Sequence, residues 1–437
     1  MRVFFISNEA SGVSLCHKIF QEGHDVRLFI ECEDKLVTQA LDGIVKKIGS
    51  IKEGVEWAGK DGLIVFDYMG YGDLQDELRK NGYSVVGGNK FGDKLEDNRQ
   101  YGQKIISACG VEIAPSINFF SVSELIKYLK KNKGPWVIKQ NGSSSKLLNY
   151  VGKLENNGDT ISLLHNYKKN KYIKKQKVDF DLQKRICGVE VAVGRFFNGE
   201  NWVGPLNINF EHKNFFNENL GPATYEMGTL MYYSKNENNK LYKATLNKLK
   251  PYLKKIKYKG YFDINCIVSG KEIFPLEATT RFGYPTIQLQ MEIHQSPWGE
   301  FLKALADGKD YDLKWKKGYG IVVLVAAPPF PFYKKGVRDF SIKGTTVNFT
   351  DDWIEEDKKH IHLEAIMKGK NGELKVCDDM GYILHVSGIG ETVAEARDKT
   401  YSVIKKIIVP KMYYRTDIGQ KFIEEDEKSL RKWGWIE

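Results

Sequence analysis

An acidic and a basic side chain stand close together in the segment IFPLEATTRFGYPTIQ, which covers residues 273–288. Glu277 comes at the end of a predicted short strand, and Arg281 follows it just before a glycine turn. Carboxylate oxygens are ligands that Mg²⁺ prefers, and a guanidinium binds phosphate or carboxylate through two parallel hydrogen bonds. The spacing therefore indicates a site where an anion is held with the help of a metal ion.

The preceding segment, residues 261–268, has the sequence YFDINCIV and predicts a partner strand. A turn at residues 269–271 would join the two strands into a hairpin and bring Asp263 beside Glu277. The alternative interpretation is a surface hairpin whose charged side chains pair only with one another.

A second candidate for anion binding begins at a predicted strand, residues 134–139, which ends in Lys139. The sequence QNGSSSK follows at residues 140–146. Small, polar, glycine-containing loops allow backbone N–H groups to surround a phosphate, and a lysine at the rim adds positive charge. The alternative is an ordinary surface turn.

The first part of the chain alternates strand and helix patterns. Residues 2–7, 25–30 and 62–67 form compact apolar runs, and a helical pattern occupies residues 13–20. This order predicts a doubly wound parallel sheet. No GxGxxG motif follows the first strand, so a dinucleotide site is not supported.

Beyond the N-terminal region, the pattern of predicted helices and strands changes at two points. One helix is predicted at residues 96–109, and residues 190–197 and 202–209 predict two strands. Residues 212–233 are rich in asparagine and aromatic side chains without regular periodicity, which predicts a long ordered loop of the kind that often carries function. After about residue 310 a separate α+β unit is predicted.

Composition narrows the class of protein. The 437 residues carry a formal net charge of +10, with lysines scattered apart from one cluster at residues 168–177. No nucleic-acid-binding motif is present, so a solvated basic surface that attracts anionic metabolites is the better interpretation. The six cysteines form no CxxC pair, which predicts reduced thiols in a cytoplasmic protein. No apolar stretch is long enough to predict a signal peptide or a membrane span.

Three groups of residues resemble the motifs of phosphoribosylamine–glycine ligases, which are ATP-grasp enzymes of purine synthesis, and the resemblance runs along essentially the whole chain. The long loop carries His212, Lys213, Gly221, Pro222, Thr224, Met227 and Gly228; the second group is Leu276, Glu277, Arg281, Phe282, Gly283, Pro285 and Gln288; the third is Tyr414, Arg415, Asp417, Ile418 and Gly419. Leu95 and Glu96, with the helix behind them, fit as well.

The resemblance implies three domains. Residues 1–94 would form the doubly wound α/β domain, residues 95–310 the ATP-grasp body, and residues 311–437 a C-terminal α+β domain. A mobile lid would cover about residues 117–187. ATP would lie between the lid and the body.

The resemblance also implies roles for individual residues. ATP would be bound by Lys104, Lys139, Gln183, Arg185, Ile186 and Glu190; Mg²⁺ or Mn²⁺ by Glu277, Asp263 and Thr279; and the substrates by His212, Lys213, Gly221, Pro222, Thr224, Met227, Gly228 and Arg281. Arg281 and Lys139 would be catalytic. The expected partners are small molecules, namely ATP, an amino acid and a phosphorylated amine, and the expected state is a monomer or a weak homo-oligomer.

The implied reaction joins a carboxylate to an amine. A carboxylate is a poor electrophile, so ATP first converts it into an acyl phosphate, which an amine then attacks. The enzyme must align these groups and neutralise their charge.

The sequence departs from the family at several of these positions. Thr279 stands where the family has a metal-binding asparagine, and Ala223, Tyr225 and Glu226 replace an asparagine and two glycines. The glycine-rich N-terminal motif is absent at residues 8–12. Three hypotheses stay open: a divergent phosphoribosylamine–glycine ligase, a related ligase for a different acid and amine, and a nucleotide-binding protein without ligase activity.

Overall fold

A computed structural model describes residues 1–32, 36–140, 149–169, 180–332 and 341–437. The strands are β1 (Arg2–Asn8), β2 (Asp25–Glu31), β3 (Lys46–Lys47), β4 (Leu63–Phe66), β5 (Val85–Val86), β6 (Ser116–Phe119), β7 (Trp136–Gln140), β8 (Tyr150–Val151), β9 (Phe180–Lys184), β10 (Val189–Asn198), β11 (Trp202–Glu211), β12 (Gly228–Ser234), β13 (Lys259–Val268), β14 (Ile273–Thr279), β15 (Tyr319–Ala326), β16 (Asn348–Phe349), β17 (Ile361–Leu363), β18 (Ile366–Lys368), β19 (Leu374–Val376), β20 (Tyr382–Gly390) and β21 (Ile407–Ile408). The α-helices are α1 (Val13–Gln21), α2 (Ile51–Ala58), α3 (Gly72–Lys80), α4 (Lys90–Asp97), α5 (Arg99–Ala108), α6 (Val122–Lys131), α7 (Gly158–Lys169), α8 (Lys240–Ala244), α9 (Leu246–Lys255), α10 (Thr286–Ile293), α11 (Trp298–Ala306), α12 (Val393–Ile404) and α13 (Glu427–Trp433).

The N-terminal sheet is parallel throughout, with the strand order β3-β2-β1-β4-β5. Its central strand β1 is buried over five consecutive residues. Such continuous apolar runs occur where a parallel sheet is covered on both faces. This sheet confirms the predicted doubly wound fold.

A larger antiparallel sheet of eight strands forms the body, with the order β14-β13-β10-β11-β12-β15-β20-β17. We expected a separate unit after residue 310, yet Val322 of β15 pairs directly with Thr229 of β12. The strands of the C-terminal region therefore extend the sheet of the body, and one large hydrophobic cluster includes residues from both regions.

A small antiparallel sheet, with the order β6-β9-β7-β8, has its own hydrophobic core. The core residues come from these strands and from α6 and α7: Leu125, Ile126, Leu129, Trp136, Ile138, Leu164, Phe180 and Leu182. Residues 141–146 of the predicted phosphate-binding loop and residues 170–177 of the lysine cluster lie outside the described residues.

Two predicted elements were wrong. The single helix expected at residues 96–109 is two helices, α4 and α5, because the side chain of Asn98 caps the second helix by accepting a hydrogen bond from the Tyr101 N–H. The loop expected to reach residue 233 ends earlier, because β12 begins at Gly228. The first four residues of β12 are all buried, so no alternation of polar and apolar side chains marks it as a strand.

Candidate active site

Polar side chains cover one face of the body sheet. Asn265 lies opposite Glu277, and Asp263 lies opposite Thr279. The expectation that the hairpin brings Asp263 beside Glu277 was therefore wrong: the cross-strand neighbour of Glu277 is Asn265. Alternate residues of a strand share a face, so these four side chains project from the same side of the sheet. Glu211 of β11 reaches the same face, since its Oε2 accepts a hydrogen bond from Asn265 Nδ2 at 2.9 Å.

Lys213 lies among three carboxylates on this face. Its Nζ is 2.9 Å from Glu211 Oε2, 3.2 Å from Glu190 Oε1 and 3.2 Å from Glu277 Oε1. Burial alone would lower the pKa of Lys213, but the carboxylates, Glu211 foremost, raise it well above its ordinary value. Lys213 is therefore a fixed positive charge that bridges the carboxylates of β10, β11 and β14.

Buried oxygen atoms beside this lysine suit a hard cation. Asp263 Oδ2 accepts hydrogen bonds from Asn209 Nδ2 at 3.1 Å and from the Tyr261 hydroxyl at 3.0 Å, and burial raises the pKa of Asp263 to about 7. Asp263 Oδ1 and Asn265 Oδ1 are both buried without a hydrogen-bond partner. Oxygen donors of this kind fit Mg²⁺. Among the described residues, however, no three His, Cys, Asp or Glu side chains group as a complete metal site.

Arg281 is held rigidly at the edge of the same face. Its Nε donates to Glu96 Oε1 at 2.9 Å, its Nη1 donates to the Phe282 carbonyl at 3.2 Å, and its guanidinium lies 4.9 Å from the centre of the Tyr68 ring. Burial would lower the pKa of Arg281, but Glu96 and its other neighbours raise it. Glu96 also accepts a hydrogen bond from the Thr280 N–H at 2.7 Å, so the Leu95–Glu96 motif fixes the position of the arginine.

Two further cations face this site from the small sheet and from α5. Burial, followed by the charge of Arg99, lowers the pKa of Lys139 to about 8, while Glu277 and Asp181 act in the opposite direction. Arg99 Nε lies 3.3 Å from Asp181 Oδ2. Lys104 is exposed on the same helix, and five helical residues correspond to a rotation of about 140°. The cation of α5 that interacts with Lys139 is therefore Arg99, which the sequence analysis missed.

The segment that carries Gln183, Arg185 and Ile186, which were predicted to bind ATP, links the small sheet to the body. Gln183 is buried in β9, and its Nε2 donates to the Ala114 carbonyl at 3.4 Å. Arg185 donates its backbone N–H to the Pro135 carbonyl at 3.0 Å and its Nη1 to the Gly152 carbonyl at 3.4 Å. Ile186 is half-buried just before β10 begins, whereas Glu190 is already part of the carboxylate group around Lys213.

The long loop folds back on the end of β11 through backbone hydrogen bonds. The Thr224 N–H donates to the Lys213 carbonyl at 2.8 Å, and the Met227 N–H donates to the His212 carbonyl at 2.8 Å. Burial and the charge of Arg415 lower the pKa of His212 to about 4, so its ring is neutral. A Cβ on Gly228 would lie 2.5 Å from the Val322 carbonyl oxygen, so only glycine fits there.

The tip of this loop is braced by the C-terminal motif. Arg415 binds Asp417 through two nitrogen atoms, at 2.8 and 2.7 Å, and donates to the Asn214 carbonyl at 3.0 Å. The Phe215 N–H donates to the Pro222 carbonyl at 3.0 Å, and Gly221 has a φ of 80°, which favours glycine. The loop and the C-terminal motif are therefore one structural unit, which explains why both belong to the same resemblance.

The N-terminal loop at residues 8–12 approaches the site in a strained conformation. Glu9 and Ala10 have φ values of 53° and 61°, which L-residues other than glycine seldom adopt. The Asp67 carboxylate accepts hydrogen bonds from the N–H groups of Asn8 at 3.1 Å and Gly12 at 2.7 Å. Burial raises the pKa of Asp67 to about 7. Strained backbone of this kind is concentrated at functional sites.

A cavity of about 340 Å³ lies between the N-terminal loop, the long loop and the end of the β13–β14 hairpin. Its far end is formed by the C-terminal region, where the Tyr284 hydroxyl donates to Glu364 at 2.8 and 2.9 Å and burial raises the pKa of Glu364 to about 8. Polar and charged residues that line the cavity include Glu9, Glu211, Lys213, Tyr225, Glu226, Glu277, Thr279, Arg281, Glu364 and Asp378. Within the described part of the chain, no helix is both long and apolar enough to cross a membrane.

This arrangement of a small sheet facing carboxylates and cations on an antiparallel body defines an ATP-grasp protein. Two solved structures support the fold. The phosphoribosylamine–glycine ligase of Thermotoga maritima superposes with a TM-score of 0.72 at 19% identity, covering 96% of this chain and 100% of that one. The biotin carboxylase of Campylobacter jejuni superposes with a TM-score of 0.66 at 12% identity, covering 98% of each chain.

The chain belongs to the phosphoribosylglycinamide synthetase family, which confirms the resemblance. Residues 97–286 match the ATP-grasp (A) domain of this family, and residues 321–421 match its C domain. The phosphoribosylamine–glycine ligase of Clostridium acetobutylicum is 26% identical over 366 residues, which are 79% of this chain and 81% of the relative. That of Caldanaerobacter subterraneus is 24% identical over 373 residues, with 79% and 81% covered.

Proposed function

We propose that this chain is an ATP-dependent carboxylate–amine ligase that joins glycine to phosphoribosylamine and yields glycinamide ribonucleotide, ADP and phosphate. The observation that carries the proposal is the cavity in which Lys213, Glu277 and Arg281 meet, with Glu277 acting electrostatically on Lys139 of the small sheet. Family membership supplies the choice of substrates. The cytoplasmic location and the monomeric or weakly associated state remain predictions.

The side chains suit a reaction in which charge has to be neutralised at fixed positions. Lys139 and Arg99 would bind the phosphates of ATP from the small sheet and from α5. Arg281 cannot swing away, because Glu96 and Tyr68 hold it, so it would neutralise the acyl phosphate that forms on the acid. Preorganised charges of this kind lower a barrier without reorganisation during the reaction.

Mg²⁺ or Mn²⁺ would be held by Glu277, with Asn265 and Thr279 beside it and Asp263 behind. These residues offer only part of a coordination sphere, and Mg²⁺ is often bound by one or two carboxylates together with substrate phosphates. When bound, the metal would neutralise phosphate charge.

The test is ADP release measured with glycine and phosphoribosylamine, supplied singly and together. We expect rapid release only when both are present, with glycinamide ribonucleotide as the product. Glu277→Ala and Lys139→Ala should abolish turnover while circular dichroism shows an intact fold. Nucleotide binding without turnover in the wild type would instead favour a nucleotide-binding protein without ligase activity.

One observation favours a second candidate, a ligase for a different acid and amine. The carboxylates of Glu9, Glu226, Glu364 and Asp378 line the cavity beyond Lys213 and Arg281, and these two cations already have carboxylate partners. A phosphorylated amine is expected to bind where cations are plentiful. ADP release with a panel of amines, with and without a phosphate group, separates the two candidates, because activity confined to unphosphorylated amines would exclude the first.

A further inference from the structure

Glu226 is a buried carboxylate on the wall of the cavity, with only 3% of its surface exposed. Its Oε1 accepts a hydrogen bond from the hydroxyl of Thr229. Because burying a carboxylate costs free energy, its presence beside the reacting groups calls for a chemical explanation.

The segment that carries Glu226 is fixed in place. Backbone hydrogen bonds join Thr224 to Lys213 at 2.8 Å, Met227 to His212 at 2.8 Å and His212 to Gly228 at 3.0 Å. The backbone at Glu226 therefore cannot move away from the cavity without breaking the attachment of the loop to the chain that follows β11. It keeps one position relative to Lys213.

The carboxylates around Lys213 differ in their bonding partners. Glu190, Glu211 and Glu277 each lie within 3.2 Å of Lys213 Nζ. Glu226, by contrast, is bonded to the neutral hydroxyl of Thr229. It is thus the member of this group that is best placed to exchange a proton with a substrate.

We propose that Glu226 takes the proton that the acceptor amine loses when it attacks the acyl phosphate, an inference that rests on the proposed function. The neutral amine nitrogen forms a bond to the acyl carbon, and the bond from that carbon to the phosphate oxygen breaks. Phosphate leaves with the electron pair of that bond. One N–H proton passes to the carboxylate of Glu226, which releases it to solvent after the product has left.

The charged groups that face Glu226 are Glu211 at the end of β11, Lys213 in the loop that follows it, and Glu190 of β10. Burial, followed by Glu211, raises the pKa of Glu226 well above its ordinary value, whereas Thr229 and Lys213 lower it and Glu190 raises it. A carboxylate with a raised pKa is a stronger base than an exposed one, which suits a group that must accept a proton.

The test compares wild type with Glu226→Gln, which keeps the size of the side chain and an acceptor for Thr229. Two products are measured: the amide, and the hydroxamate that forms when hydroxylamine traps the acyl phosphate. Hydroxylamine is mostly unprotonated at neutral pH and is a strong nucleophile, so it depends much less on a base. We expect amide formation to fall by about 10²–10⁴-fold, as for loss of a general base, while hydroxamate formation falls far less. In wild type the rate of amide formation should rise with pH as Glu226 loses its proton. In Glu226→Gln this rise should be absent.

Two further variants keep the test decisive. Glu9→Gln removes one negative charge from the cavity without touching Glu226, and it should retain the rise of rate with pH. Thr229→Val keeps the carboxylate but removes its hydrogen-bond donor, so the rise should move to higher pH. This variant is informative even where Glu226→Gln does not fold.

Each result has one meaning. If wild type forms the amide and Glu226→Gln keeps both the rate and the pH profile, or if amide and hydroxamate fall together, Glu226 is not the base. If wild type forms neither product, the proposed function fails and the inference fails with it. Hydroxamate formation by wild type distinguishes the two failures: it is present when only the role of Glu226 fails, and it is absent when the proposed function fails.

Discussion

Lys213 Nζ lies 3.2 Å from Glu277 Oε1, although the two residues are 64 positions apart in the chain. The contact joins the end of β11 to the end of β14, across the strands that lie between them in the sheet. It also explains why the His212–Lys213 motif and the Glu277 motif occur together: each supplies a charge that the other requires.

Removing the charge of Lys213 should destabilise the fold as well as stop turnover. Lys213→Met keeps the aliphatic stem but leaves Glu190, Glu211 and Glu277 facing one another. Because the side chains of Lys213 and Glu277 are 31% and 50% exposed, solvent screens part of this repulsion. We expect the free energy of unfolding to fall by about 1–3 kcal/mol, the range for leaving a polar group unpartnered, measured by urea unfolding.

The matched control is Lys254→Met, because Lys254 pairs with Glu200 at 2.6 Å while both side chains are more than half exposed. That change should cost less than about 1 kcal/mol. Equal losses in the two variants would mean that the three carboxylates do not depend on Lys213.

Arg281→Lys should reduce turnover although it keeps the positive charge. Lysine cannot maintain the contacts to Glu96, to the Phe282 carbonyl and to the face of Tyr68 at the same time. The charge would then no longer be fixed at the acyl phosphate, and we expect kcat to fall by about 10²–10³-fold, as for loss of one preorganised donor. Steady-state assays of ADP release measure it.

Arg195→Lys is the control for this prediction. Arg195 Nη1 lies 2.7 Å from Glu237, and it is not among the residues that line the cavity. Its substitution should leave kcat close to that of wild type. An unchanged kcat in Arg281→Lys would remove the assigned role of Arg281.

The parts of the site that the sequence predicted are those at the ends of apolar runs. Glu277 and Lys139 could be identified because a strand pattern stops at each of them, and chain order then predicted which sheets carry them. The pairing of Asp263 was not predictable in the same way. The register shifts between Asn265 and Cys266, and a bulge of one residue leaves no mark in the hydrophobic pattern.

Arg99 was missed for a related reason. Asn98 ends α4 and starts α5, so the rotation of α5 about its axis does not continue from the residues before it. The resemblance assigned Lys104 to ATP, whereas in the structure it is Arg99 that lies 3.3 Å from Asp181 and acts on Lys139. Glu211 carried no signal either, because its importance lies in contacts between β11, the loop and the cavity. Glu226 was marked as a departure from the family, but its burial in the cavity wall was not predictable.

Gly228→Ala should destabilise the start of β12 by a direct clash. The added Cβ would lie 2.5 Å from the Val322 carbonyl oxygen and 2.9 Å from Ile418 Cγ1, and the φ of 158° is one that L side chains rarely adopt. Overpacking of a filled core costs about 1–3 kcal/mol, which thermal or urea unfolding can measure. Gly270→Ala is the control, because nothing lies within 4 Å of its added Cβ. Gly228→Ala matching that control would contradict the close approach of β12 and β15.

Binding of ATP should weaken with rising pH because of Lys139. Burial, with help from Arg99, lowers its pKa to about 8, so the free protein loses this ammonium as the pH rises through that value. A phosphate prefers the charged form, and each pH unit above the pKa costs up to about 1.4 kcal/mol of binding free energy. Calorimetric titration with MgATP between about pH 7 and about pH 9 measures this decline. Lys139→Arg should show none of it, because a guanidinium stays charged throughout.

The lowered pKa of Lys139 also predicts how the free energy of unfolding depends on pH. An unfolded chain has a lysine pKa of 10.5, whereas the folded one has a pKa of about 8. Between these values the unfolded state binds more protons, so this lysine makes the free energy of unfolding rise with pH. Lys139→Arg should remove that contribution, and Lys104→Arg on the exposed side of α5 should keep it. If Lys139→Arg retained both the decline in affinity and the rise in stability, another group would be responsible for them.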